Sequence, residues 1–352
     1  MIIDIHCHYT TEPAALHTFR DKQLAGLADA MRKPAAKTLA DLNISDEQIV
    51  ASLQPQLKLQ KDRGSDLTIF SPRAAGMAHH VGNAEVSRVW TGISNDLIHR
   101  ITQLLPSNFI GVGQLPQFPG VAPAECIGEL QRLADLGFVG VNLNPDPSGG
   151  WWTGPPLTDR HWYPLYEKLV ELQMPAMIHV SSCCNPNFHH TGAHYINADT
   201  TAFMQLIQGD LFKDFSELKF VIPHGGGAVP FHWGRYRGLC LSMQKKPLAQ
   251  HLLNNVFFDT CVYHLPGIRL MTEVVPISNI LFASEMLGAV PGIDPDNGFH
   301  FDDTKRYIDG VAGLDEASRH LIFEGNARRV YPRLDAILTR RAHAALNVSR
   351  AH

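Results

Sequence analysis

The chain has 352 residues, 45% of them hydrophobic and 18% charged, which is ordinary globular usage and excludes disordered and fibrous classes. Thirty Lys and Arg against 34 Asp and Glu leave a formal net charge of −4, without the basic excess of a nucleic-acid binder. No apolar run approaches the roughly 20 residues that span a bilayer, and the opening Met1-Ile2-Ile3-Asp4-Ile5-His6 lacks the features of a signal peptide.

A first strand is expected over Ile2–His6. The connection from about Tyr9 to Ile44 is long for a strand-to-helix loop and predicts a partly helical insertion over the mouth of the fold. Ser45-Asp46-Glu47-Gln48 has the form of a capping box, opening a helix that runs to about Lys61. Further β-rich runs follow at Leu67–Ser71, Phe109–Leu115, Phe138–Asn144, Pro175–Val180, Lys219–His224, Val256–Thr260 and Ile280–Ser284. Several are nearly continuous apolar runs, as in parallel strands buried on both faces. Between them, Pro123 occupies a plausible first helical position before Ile127, Leu130, Leu133 and Leu136, and Gly137 follows as a stop. Tyr163–Gln173, Thr201–Phe215 and Val229–Met243 have similar amphipathic spacing, and the end from about Asp315 to His352 reads as one or two helices packing outside. Eight strands alternating with helices predict an α/β fold, a (β/α)8 TIM barrel forming one domain over residues 1–352. A doubly wound sheet would want a Gly-rich turn after the first strand, where His6-Cys7-His8 stands instead.

Chemistry on such a barrel gathers at the C-terminal ends of the strands. His6 and His8 close strand 1 with i, i+2 spacing, which sends both side chains to one face. His179 lies near the end of strand 5, His224 ends strand 6 before Gly225-Gly226-Gly227, and Glu285 ends strand 8. A single buried histidine is more often hydrogen-bonded and structural, but five such groups fall where the fold converges them. Imidazoles with a carboxylate suit Zn2+, with Mn2+ or Fe2+ as alternatives. For anionic groups of a substrate, Arg73 after strand 2 offers a guanidinium fork, unless it is a surface arginine in a turn. Asn144 after strand 4 and the loop His189-His190-Thr191-Gly192-Ala193-His194-Tyr195 after strand 5 are further candidates. Arg235 is another, although its Trp233–Tyr236 context also suits an ordinary helix face, and Trp151-Trp152 reads as a mouth loop or an oligomer contact.

Other signatures fail. His224-Gly225-Gly226-Gly227 has no G-x-S-x-G nucleophile elbow to accompany it, there is no H-E-x-x-H, and Gly111-Val112-Gly113 lacks the last glycine of a dinucleotide fingerprint. The six cysteines include no C-x-x-C pair; Cys183-Cys184 reads as structural thiols near a site wall, and a reducing, cytoplasmic compartment is expected.

The residues also carry a resemblance. Ile3-Asp4-Ile5-His6-Cys7-His8, Ile178-His179-Val180, Ile222-Pro223-His224-Gly225-Gly226-Gly227, Phe282-Ala283-Ser284-Glu285 and Gly325-Asn326-Ala327-Arg328-Arg329-Val330-Tyr331 stand in an order that resembles the amidohydrolase superfamily. The branch it resembles holds metal-dependent decarboxylases and hydratases of small carboxylic acids. Ser71-Pro72-Arg73-Ala74 and Ser284-Glu285-Met286-Leu287-Gly288 point within it to a hydratase.

That resemblance implies one divalent metal on His6, His8 and His179, with Glu285 as fourth ligand or close neighbour. It implies His224 or Glu285 as proton carriers, Tyr195 as a hydrogen-bond donor to a developing enolate, and Arg73, Asn144, His194 and Arg235 as substrate contacts. The expected substrate is a small polycarboxylate, an oxo-alkene tricarboxylate hydrated across its carbon–carbon double bond, and the expected enzyme is a homo-oligomer, dimer or larger. One departure matters: the superfamily's usual Asp after strand 8 is Glu285, one methylene longer, which leaves open whether it is ligand, proton carrier or both. No Lys stands at the end of strand 4, where Asn142 and Asn144 are found, so a carbamylated-lysine bridge is not expected and the centre should be mononuclear. The competing readings are decarboxylation of an aromatic or dienoic acid, lactone or amide hydrolysis, and a catalytically silent metal-binding barrel.

Overall fold

All eight predicted strands form in the computed structural model, which describes residues 1–28, 38–288 and 290–349. They are β1 (Ile3–Tyr9), β2 (Leu67–Pro72), β3 (Phe109–Gln114), β4 (Gly140–Leu143), β5 (Ala176–Ile178), β6 (Phe220–Ile222), β7 (Val256–Asp259) and β8 (Ile280–Leu281). Neighbours pair in parallel in chain order. The last strand is tied back to the first: Ile5 N–H donates to the Phe282 carbonyl at 3.0 Å and Glu285 N–H to the His6 carbonyl at 2.8 Å. The buried Asp4 carboxylate clasps the same seam, accepting from the backbone N–H of Ser284 at 3.1 Å and from its hydroxyl. A parallel ring with helices between its strands is the (β/α)8 architecture.

Strand alternation divides the side chains into two sets. Ile3, Ile5, Ile69, Val112, Val221 and Phe257 belong to the interior set, while Cys7, Tyr9, Phe70, Phe109, Phe220 and Phe258 pack with the outer helices. Each such side chain, fully buried, contributes about 1.5–3 kcal/mol. In β1 the alternation breaks. Its pairing with β2 shifts register between Asp4 and Cys7, a bulge that turns the following residues over. Ile3 and Ile5 therefore face inward at the bottom, and His6 and His8 face inward at the top. β1 also continues to Tyr9, so the histidines lie within the strand rather than at its end.

The C-terminal segment differs from its expected place outside the barrel. Ala327, Val330, Tyr331, Leu334 and Leu338 join the interior cluster of Ile3, Ile5 and Leu67, closing the bottom of the ring with apolar side chains. The helix expected from Thr201 begins at Gly192 and stops at Gly209, with a short separate helix at Leu211–Asp214. The earlier start places His194, Tyr195 and Asp199 on helical turns. The capping box forms, with Ser45 Oγ accepting from Gln48 N–H at 3.2 Å and Gln48 Oε1 from Ser45 N–H at 2.9 Å; the helix runs in two pieces, Asp46–Ser52 and Gln54–Arg63. In the first connection, Ala14–Ala25 is helical, and residues 29–37 of the predicted insertion lie outside the described residues. Among the described residues no helix is long and apolar enough to cross a membrane.

Candidate active site

Three imidazoles from β1 and the end of β5 meet at the top of the barrel. His6 Nε2 lies 3.0 Å from His8 Nε2, which lies 3.2 Å from His179 Nε2, and all three residues are buried. Their other ring nitrogens are engaged: His6 Nδ1 with Asp259 Oδ2 at 2.7 Å, His8 Nδ1 with Ser71 Oγ at 2.7 Å, and His179 Nδ1 with the Val180 carbonyl at 2.7 Å. A carboxylate and a carbonyl accept only, so His6 and His179 carry their protons on Nδ1 and turn Nε2 lone pairs toward the centre. Burial, then the neighbouring imidazoles, hold His8 and His179 well below the usual histidine range, which keeps them neutral. Converging neutral nitrogens, each supported from behind, fit a divalent cation.

His224 and Glu285 complete the cluster. One ligand atom from each of His6, His179, His224 and Glu285 lies within 4.8 Å of the others. His224 Nδ1 is 2.8 Å from Asp199 Oδ2, while its buried Nε2 has no hydrogen-bond partner among the described residues and stands 3.8 Å from Glu285 Oε2. Burial disfavours the imidazolium, but the charge and hydrogen bond of Asp199, with Glu285 and Asp259, outweigh it and push His224 up to about 9. Burial pushes Asp199 up to about 6 against the pull of His224, so between these values the two form a buried ion pair. The Glu285 carboxylate also accepts from the Tyr263 hydroxyl at 2.7 Å.

Both residues are set by unusual backbone. His224 has φ 51 and Glu285 φ 50, the left-handed region that non-glycine residues seldom occupy. Such conformations cost of order 1–3 kcal/mol each and persist where surrounding structure enforces them. Glycines make room. A Cβ on Gly227, whose φ is +63, would stand 2.5 Å from the Ile196 carbonyl and 3.2 Å from Asp199 Cβ, parting His224 from its carboxylate partner. A Cβ on Gly288 would meet the Glu285 carbonyl at 2.5 Å and its Cγ at 2.6 Å.

Tyr195 is buried with its ring stacked on His224 at 5.4 Å between centroids and 5.2 Å from that of His179. Burial raises its hydroxyl, which stays a donor at neutral pH. Arg73 is exposed at the top of β2, close enough for its charge to act on His8 and Tyr195. His194 is buried beside Phe188, and neither ring nitrogen has a partner among the described residues. Two further predicted substrate contacts, Asn144 and Arg235, differ in their surroundings. Asn144 spends its amide on His79 Nδ1 at 2.9 Å and Ser181 Oγ at 3.3 Å, and its Oδ1 accepts from Asp146 N–H, so it organises the loop after β4. Arg235 is exposed on the helix Trp233–Ser242, and its guanidinium makes no hydrogen bond or ion pair among the described residues.

Sequence reading missed the supports: Asp259, Asp199, Ser71 and Tyr263. Asp259 had a signal, since it ends β7 where the strand-end rule looks for chemistry. Asp199 follows Tyr195 by one helical turn, but this was hidden while that helix was expected to start at Thr201.

Comparison with known proteins bears on the chain as a whole. The amidohydrolase family profile matches residues 3–333. The chain is 55% identical over 343 residues to 2-keto-4-carboxy-3-hexenedioate hydratase of Sphingobium sp. (strain NBRC 103272 / SYK-6), covering 97% of this chain and 99% of that protein. The crystal structure of 4-oxalomesaconate hydratase from Rhodopseudomonas palustris superposes with TM-score 0.90 at 58% identity, covering 98% of this chain and all of that one. 5-Carboxyvanillate decarboxylase from Sphingomonas paucimobilis shares the fold, with TM-score 0.69 at 20% identity over 94% of this chain and 98% of that one.

Proposed function

The chain belongs to the amidohydrolase family, and on that premise we propose that it is a hydro-lyase adding water to the carbon–carbon double bond of 4-oxalomesaconate. The product is 2-hydroxy-4-oxobutane-1,2,4-tricarboxylate, within the meta-cleavage degradation of protocatechuate and gallate. High identity to hydratases over nearly the whole chain supports this reading, whereas the decarboxylase at 20% identity speaks for the fold alone. The site observation that carries it is the pairing of a hydrogen-bonded carboxylate, Glu285, with a histidine pushed up to about 9, His224. Hydration needs one group to take a proton and another to give one.

A divalent cation, Zn2+ with Mn2+ or Fe2+ as alternatives, would be held by His6, His8, His179 and Glu285 and would supply Lewis acidity toward water and the substrate carbonyl. Conjugation to that carbonyl makes the distal alkene carbon electrophilic. The oxygen of water bonds to this carbon, its proton passes to Glu285, and the alkene electrons move onto the carbonyl oxygen as an enolate. Tyr195 donates a hydrogen bond to the enolate oxygen. His224, protonated on Nε2 and steadied by Asp199, delivers a proton to the adjacent carbon as the carbonyl re-forms. Arg73 at the mouth and the unpartnered His194 orient carboxylates, with Asn144 and Arg235 as further substrate contacts.

The same reading makes the protein a cytoplasmic homo-oligomer, dimer or larger, acting as a single barrel unit. Exposed Phe231 and Leu241, 76% and 67% accessible, support an association surface. The function is tested by incubating purified metal-loaded protein with 4-oxalomesaconate and following products by NMR alongside CO2 detection. The hydroxylated tricarboxylate without gas is expected; CO2 release would favour decarboxylation instead.

A further inference from the structure

Tyr263 has no role in the reaction as set out above, yet it makes the shortest-range contact to Glu285 from outside the histidine cluster. Its hydroxyl donates to Glu285 Oε2 at 2.7 Å, the same oxygen that stands 3.8 Å from His224 Nε2. Burial, then the charge of Glu285, hold the phenol well above its usual value, so it donates throughout the working pH range. The carboxylate is thus constrained from two sides, by left-handed backbone at its own Cα and by this hydroxyl.

We propose that Tyr263 is a positioning residue for Glu285: its hydroxyl decides which carboxylate oxygen faces His224 and holds the carboxylate in one orientation. The inference rests on the hydratase reading. Glutamate has one more rotatable bond than the superfamily's usual aspartate, so its carboxylate needs an additional tether to be held in one orientation, and the Tyr263 hydroxyl supplies one.

The test is Tyr263→Phe, which removes one oxygen. Second-layer partners of a metal site are typically worth ten- to a hundredfold in activity or metal affinity. The expected result is a fall of that size in kcat with KM within about twofold, together with a changed visible spectrum of the Co2+-substituted protein. In a Glu285→Asp background the carboxylate is too short to reach the hydroxyl, and the same substitution is expected to cost less than about twofold. Wild-type kcat and spectrum in Tyr263→Phe, or an equal cost in both backgrounds, would overturn the proposal. If the Phe variant does not fold, a metal-loaded crystal structure of the wild type decides: Oε2 on the Tyr263 hydroxyl supports the role, and a carboxylate turned away from it refutes the role. Failure of the functional reading looks different, since the wild type would then bind metal and leave 4-oxalomesaconate unchanged while the Co2+ spectrum still reported on Tyr263.

Discussion

Glu285 Oε2 and His224 Nε2 face each other at 3.8 Å, and both residues sit in left-handed backbone, at φ 50 and φ 51. Two strand ends, β6 and β8, have each accepted a strained conformation to bring one acid–base group toward the other. The pair divides the labour of hydration. Glu285, fixed by a phenol donor, accepts a proton, and His224, backed by Asp199, gives one.

Removing either partner should therefore stop turnover. His224→Asn is expected to lower kcat by about 10²–10⁴-fold, the usual weight of a positioned acid or base, with bound metal unchanged. Glu285→Gln should lose a similar factor and also weaken metal retention. Steady-state kinetics with metal analysis of the purified variants checks both; a His224→Asn enzyme with near-normal kcat would remove that residue from the mechanism.

The pH dependence follows from the same pair. His224 is pushed up to about 9, so it remains an acid through neutral pH and loses its proton as pH rises through about 9. The hydration rate is expected to decline there. The stability contribution has the same sign, being complete below the ordinary histidine value near 6.5 and lost as pH climbs through about 9. In Asp199→Asn this alkaline limb should move to lower pH, which a kcat profile over pH 6–10 would show.

Much of this was legible in the sequence, and the reasons are specific. Near-continuous apolar runs such as those within Phe138–Asn144 and Lys219–His224 announce strands buried on both faces, and histidines at strand ends announce the site. The inward turn of both Ile5 and His6 was not legible, because it depends on a bulge in β1 that strict alternation does not foresee. The sequence placed Asn144 after β4 but did not show that its amide satisfies polar groups of the loop leading to Asp146. Tyr263 lies well beyond the end of β7 in a loop, where no periodicity marks it.

Gly288 should not tolerate a side chain. Gly288→Ala places a Cβ 2.6 Å from Glu285 Cγ, so the glutamate must shift. Overpacking of this kind costs about 1–3 kcal/mol, and a displaced base loses rate out of proportion to stability. A kcat reduced more than about tenfold with a modest fall in Tm is expected, measured by kinetics and thermal melting on the same preparation.

A buried ion pair braces the turn behind Glu285. Arg63 donates to Asp302 Oδ1 at 2.7 Å, and Asp302 Oδ2 accepts from Leu287 N–H at 2.9 Å. Arg63→Met leaves the Asp302 charge without its main partner, at a cost of about 3 kcal/mol. The denaturant midpoint should fall accordingly, and a midpoint equal to wild type would show that the brace carries little.

The account depends most on His6, His8, His179 and Glu285 holding one cation without which hydration does not proceed. Stripping the purified protein with a chelator, verifying the absence of metal, and titrating Zn2+ back while following 4-oxalomesaconate hydration measures this directly. No turnover in the stripped protein and full recovery at one Zn2+ per chain is the predicted result, and undiminished hydration by verified metal-free protein would contradict it.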